Sequence, residues 1–163
     1  MTSRVIYIIK PSRYALQDDQ LLEYIIEQLI HSKVPPGKIC FELQETAVVA
    51  NLSQAQRLIR TLKEFGCRFS LCGFGVVATK QDYLNQLAID YLTIDGVLVK
   101  EMVRSPADYA MVKSTNEIGH LLGKKTIAHA VETEDLLERL REIGVDYVQG
   151  AAIEAPRLME EVA

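Results

Sequence analysis

Two rhythms alternate along this chain. Short apolar runs are separated by longer stretches in which apolar residues return every three or four positions. The run at 5–9 reads as a first strand. Leu21, Leu22, Ile25, Ile26, Leu29 and Ile30 fall at helical spacing and predict an amphipathic helix over about 18–32. Val34-Pro35-Pro36-Gly37 stops it, because proline and glycine end a helix and open a loop. Runs at 39–43, 68–71, 91–94 and 126–130 predict four more strands, and Tyr147 and Val148 begin a sixth. Helices are predicted between them. Asn51 leads one that carries Ala55, Leu58, Ile59 and Leu62 and ends at Gly66. A shorter one holds Tyr83, Leu84 and Leu87. A long one over about 108–122 turns Met111, Val112, Ile118 and Leu121 inward and closes at Gly123. Thr133 caps the last, which carries Leu136, Leu137 and Leu140 and ends at Gly144.

Strand–helix alternation of this kind implies right-handed crossovers and a parallel sheet. Two closures compete, an open doubly wound sheet and a barrel. The open dinucleotide-binding form wants GxGxxG after its first strand, and none is present. Polar signatures stand instead at the carboxyl end of nearly every strand: FELQE, LCGFG, YLTIDG, KKTIAHAVE and VDYVQG. That is the barrel pattern, in which many strand ends feed one site. Six strands are fewer than the eight of a closed TIM-type barrel. The expected fold class is therefore α/β, an incomplete TIM-like (β/α) barrel of about six mostly parallel strands.

Composition narrows the function classes. The 163 residues suit one domain, and 48% apolar with 25% charged residues is ordinary for a globular chain. A net charge of −4 removes any general attraction to nucleic acid or an anionic membrane. No apolar run approaches the roughly 20 residues that span a bilayer, so no membrane insertion is expected. The start, MTSRVIYIIKPSR, carries no convincing signal-peptide cleavage site. Cys40, Cys67 and Cys72 form an odd set without CxxC spacing, which reads as reduced thiols in a cytoplasmic protein.

The strand-end motifs, in their order, resemble those of EAL-type cyclic di-GMP phosphodiesterases. That family reads FEhTE, hDDFG, hKIDG, TIAEGVE and QG at the same places, where h is apolar. The resemblance runs from about residue 5 to 156. It implies a barrel of EAL type, with 1–163 a single EAL-like domain lacking the family's first strand–helix section. In active members it implies two-metal hydrolysis by clustered carboxylates. Glu42 matches the first Glu of FEhTE. Lys10 aligns with the Asn of a VNLS-like segment. Cys72 and Gly73 stand at the paired aspartates, Thr93 at the lysine, and His129 at the first Glu of AEGVE. Glu45, Asp95, Glu132 and Gln149 keep family identities. Each of these four has a scaffold reading beside ligand contact. Glu45 and Glu132 would cap the helices that follow, while Asp95 and Gln149 would satisfy backbone donors at strand ends. The loop GFGVVATKQDY keeps Gly73 and Gly75 but carries Val76, Val77 and Ala78, which suit packing better than a phosphate.

One matching carboxylate is too few for magnesium, and Lys10 would repel it. No metal and no cofactor are expected. Glu42, His129 and Cys72 are donor types that suit zinc, against a filled barrel mouth. For Lys10 the alternatives are an ammonium in the vacated cation space beside Glu42 and an exposed lysine at a strand end. The resulting expectation is that the protein is not an enzyme. It would be a catalytically inactive EAL-like module acting by protein–protein contact in cyclic di-GMP signalling. The alternatives are a receptor that binds cyclic di-GMP without hydrolysing it and an active phosphodiesterase. Expected partners are a second copy or a signalling protein: a partial barrel would leave apolar edges around 5–9 and 147–153, and the expected interface includes the strand at 5–9, the helix at 21–30, or both. Binding of cyclic di-GMP by the isolated chain is expected to be weak or absent.

Overall fold

The computed structural model describes residues 6–74 and 83–153. Its contacts divide the chain into two compact units, Met1–Asp90 and Tyr91–Ala163.

The first unit carries β1 (Tyr7–Ile9), β2 (Ile39–Gln44) and β3 (Arg68–Cys72). They pair in parallel in that order, with Ile9 opposite Phe41 and Glu42 opposite Ser70. Ile39 to Leu43 are all buried, so both faces of β2 are covered, as a parallel strand requires. Its helices are α1 (Leu21–His31), α2 (Glu45–Ala50), α3 (Leu52–Glu64) and α4 (Tyr83–Gln86). Helix α1 begins three residues later than the spacing predicts. Ala15–Gln17 forms a 3-10 turn, and the Asp18 side chain accepts the Gln20 N–H at 2.9 Å, which holds the entry as a turn. Helix α3 buries Ala55, Leu58, Ile59 and Leu62 as expected. Asn51 does not cap it: its side chain donates back to the Ala47 carbonyl at 3.0 Å. Helix α2 has no counterpart in the sequence reading, because six residues following directly on a strand are too few to show a period. Asp90 fastens this unit's end, accepting Phe69 N–H at 2.8 Å and Lys63 Nζ at 2.7 Å.

The second unit carries β4 (Tyr91–Ile94), β5 (Lys125–Ala128) and β6 (Tyr147–Val148), again parallel and in sequence order. Its helices are α5 (Gly96–Glu101), α6 (Pro106–Leu121) and α7 (Glu134–Ile143). Ile94, Val99, Met102, Val112, Leu136, Leu137 and Leu140 share one core. The Thr133 hydroxyl accepts Leu136 N–H at 3.3 Å, and Gly144 leaves α7 at φ 90°, so both predicted ends hold. Helix α6 departs from its predicted facing. Met111 and Leu121 are 52% and 86% exposed, whereas Val112, Thr115, Asn116 and Gly119 are buried. A hydrogen bond explains the rotation. Thr126 Oγ1 donates to Asn116 Oδ1 at 2.6 Å, and a Cβ on Gly119 would come within 2.8 Å of Thr126 Cγ2, so a polar and a small residue must face β5. No helix among the described residues is long and apolar enough to cross a membrane.

Candidate functional site

The strand carboxyl ends hold the residues singled out by the motifs. In the first unit the register sets Ile9 against Phe41, so Lys10 and Glu42 come next, side by side. Lys10 Nζ lies 3.2 Å from Glu42 Oε2, with the lysine 60% exposed and the glutamate 4%. Both readings of Lys10 describe it: the ammonium lies beside Glu42, and the lysine is largely exposed at the strand end. Glu45 opens α2 and is 1% exposed. It does not act as a surface cap, because its carboxyl group accepts a hydrogen bond from the Tyr83 hydroxyl. Burial first, and then Glu45, pushes the Tyr83 hydroxyl well above its usual pKa. Tyr83 reads in the sequence only as an apolar member of a short helix; its hydroxyl was the overlooked signal, since a buried tyrosine needs a partner.

Cys72 ends β3 half-buried, and Gly73 takes a left-handed φ of 70° that suits glycine. The loop positions Gly75, Val76, Val77 and Ala78 lie outside the described residues. Cys40, inside β2, has its thiol pushed up to about 12 by burial and next by the charge of Glu42, so it is an inert core group. Burial raises Cys67 as well.

In the second unit Thr93 is buried in β4 opposite Ile127. Asp95 caps α5, its Oδ1 accepting Val97 N–H at 2.9 Å, which is the backbone-donor role. His129 follows β5 directly, and Ala130 then takes φ 59°. Left-handed backbone is costly for a residue with a Cβ. Glu132 does not cap α7, since Thr133 does; it faces Lys100 Nζ at 3.1 Å in solvent. Gln149 acts through its backbone, donating to Ala128 O at 2.9 Å and accepting from Val131 N–H at 3.1 Å. Gly150 lies so close that a Cβ there would overlap the Val131 carbonyl oxygen, which accounts for glycine after Gln149.

These donors do not fit a pair of divalent ions. The Glu42 carboxylate is met by an ammonium, position 72 offers sulfur and position 73 no side chain. Among the described residues no group of three or more His, Cys, Asp or Glu could hold a metal ion.

The EAL domain family model matches residues 4–156. The chain is 35% identical over 143 residues to the cyclic di-GMP phosphodiesterase PdeB of Shewanella oneidensis, covering 88% of this chain and 17% of that protein. It is 32% identical over 145 residues to the cyclic di-GMP phosphodiesterase PdeA of Borreliella burgdorferi, covering 89% of this chain and 22% of that one. The chain thus spans about a fifth of the length of these relatives. Among solved structures, the phosphodiesterase PaMucR in complex with c-di-GMP superposes with a TM-score of 0.88 at 23% identity, over 97% of this chain and 64% of that one. The fold class is the one expected, an incomplete (β/α) barrel of EAL type with six parallel strands among the described residues.

One expectation is overturned. The substituted ligand positions pointed to a protein that is not an enzyme, yet the relatives at 32–35% identity are named cyclic di-GMP phosphodiesterases, an enzyme family. Counting strand-end residues one at a time gave too much weight to a few positions. The chemistry of a barrel mouth is assembled jointly from many strand ends, and identity here extends through the framework that places them. The chain belongs to the EAL domain family.

Proposed function

We propose that this chain is a cyclic di-GMP-binding EAL domain of a cytoplasmic signalling protein, with 1–163 acting as one domain. The observation that carries the reading is the match in framework to cyclic di-GMP phosphodiesterases along 88–89% of the chain. Glu42, Glu45, Asp95, Glu132 and Gln149 keep family identities at the strand ends. Lys10 brings an ammonium group to one of those ends, which suits a phosphate diester. Free thiols at Cys40, Cys67 and Cys72 support a reducing compartment. Lys10, Cys72, Gly73, Thr93 and His129 are the positions at which the ligand would meet groups that differ from the family's.

Calorimetric titration of the full chain with cyclic di-GMP tests this. Saturable binding with a Kd between about 1 μM and 1 mM is expected. No heat across that range overturns the reading. Release of the linear dinucleotide from the same samples, with Mg2+ or Mn2+ added, would extend it to hydrolysis.

A second reading, self-association, is favoured by a specific surface. Ile9, Tyr24 and Ile30, on β1 and α1, are 43%, 61% and 68% exposed. Large apolar side chains left in water mark a contact surface, and among the described residues of its unit β1 pairs on one side only, with β2. A second copy of the chain is the proposed occupant. Light scattering at low micromolar concentration reads it directly, and a monomer of the chain mass overturns it.

A further inference from the structure

Two retained glutamates meet a lysine, Glu42 with Lys10 at 3.2 Å and Glu132 with Lys100 at 3.1 Å. Only Glu42 is buried, at 4% exposure. A carboxylate so withdrawn from water needs a cation beside it. The parallel pairing of β1 with β2 delivers one by register alone, because Lys10 follows Ile9 as Glu42 follows Phe41. The lysine stays 60% exposed, and an ammonium has three donors, so its outer side remains available to solvent or ligand. In this family that strand end would be served by a divalent ion, which the donors present do not fit.

We propose that the Lys10 ammonium is the resident cation of this strand end. It neutralises Glu42 in place of a divalent ion and presents its outer side to a phosphate diester, so ligand binding here proceeds without divalent metal. The ligand half of the proposal rests on the cyclic di-GMP reading above. A divalent ion competing for Glu42 must displace a tethered ammonium, whose local concentration is fixed by the strand pairing.

The test is calorimetric titration with cyclic di-GMP, in EDTA and in Mn2+, of the full chain and of its K10M and K10M/E42Q variants, with Tm measured alongside. The unaltered chain is expected to bind equally in both buffers. Both variants should bind about tenfold more weakly in EDTA, the loss of one charge-assisted contact. K10M should lose about 5 °C in Tm, because it takes the cation away from a buried carboxylate, and K10M/E42Q should regain it. Affinity and Tm thereby separate ligand contact from support of the fold. If K10M does not fold, the double variant carries the binding comparison. Binding by the unaltered chain only with Mn2+, undiminished affinity in K10M/E42Q, or no Tm recovery in it overturns the resident-cation proposal and leaves the cyclic di-GMP reading standing. No binding in either buffer overturns both.

Discussion

Residues 1–90 and 91–163 treat the carboxyl groups of the family motifs in opposite ways. In the first unit Glu42 and Glu45 are 4% and 1% exposed, and each is answered by a side chain from another segment, Lys10 and Tyr83. In the second, Asp95 and Glu132 are exposed; one caps its own helix and the other faces Lys100. Besides Thr93, the second unit keeps a polar network at the other end of its strands, around the buried Thr126 and Asn116. There Thr126 N–H donates to Asp146 Oδ2 at 2.8 Å, its hydroxyl donates to Asn116, and His120 Nε2 lies 2.7 Å from the same Asp146 oxygen. Matching a family motif therefore does not fix a residue's physical role. In one unit the strand-end carboxyl groups are part of the core, whereas in the other the core is complete without them.

The largest effect should come from the buried pair of the first unit. Tyr83→Phe removes the donor to Glu45 and leaves a buried carboxyl group one partner short. A hydrogen bond to such a group is worth about 2 kcal/mol, and the hydrocarbon ring is retained, so packing changes little. Urea denaturation should show a lower midpoint at an unchanged slope. An unchanged midpoint would mean that Glu45 is held by its other contacts, and the contrast between the units would then rest on Glu42 alone.

Acid should act next, through the second unit. Burial raises the pKa of Asp146, but hydrogen bonds from Thr126 and His120, with the charge of His120, outweigh it and hold the carboxyl below its usual range. A group with a lowered folded pKa contributes stability that is fully present above its unfolded pKa and is lost as pH falls through the folded one. For an aspartate that window lies below about pH 4. The asparagine variant Asp146→Asn removes this titration while keeping a side-chain acceptor for Thr126. Its stability should be lower at pH 7, by about 1 kcal/mol, and should fall less steeply than the parent's between pH 5 and pH 3. Parallel slopes for the two proteins would mean that Asp146 does not set the acid response.

Much of this was legible in the sequence, for physical reasons that differ by element. Helices α3 and α7 showed because the apolar residues of each keep strict helical spacing and are buried within its own unit, with Thr133 and Gly144 marking the ends of α7. Helix α6 misled because periodicity counts only apolar residues. The face it buries holds Thr115, Asn116 and Gly119, chosen for hydrogen bonding and close approach rather than hydrophobicity. Helix α2, at six residues, was too short to show a period. At the candidate site the Lys10–Glu42 contact was foreseeable, since parallel strands bring equivalent ends together. The Tyr83–Glu45 contact was not. It joins residues 38 positions apart, and no local pattern marks a tyrosine that turns its hydroxyl inward.

The smallest effect on stability is expected at Glu132. Lys100 and Glu132 are 48% and 54% exposed, so water and salt screen their attraction and both long side chains lose rotamer freedom in meeting. Glu132→Gln keeps the shape and should change the unfolding free energy read by urea denaturation by no more than about 0.5 kcal/mol, with any difference vanishing at high salt. A loss above about 1 kcal/mol would place Glu132 with Glu42 and Glu45 and break the contrast between the units. A neutral result sharpens it in a useful direction. A strand-end carboxyl group that the fold does not need is free to serve a ligand, so the same variant can be titrated with cyclic di-GMP without correcting for a weakened protein. Altered affinity at unaltered stability would assign Glu132 to ligand contact. Unaltered affinity would leave it a solvated partner of Lys100, and the ligand contacts of the second unit would then have to come from Thr93, His129 or the backbone around Gln149.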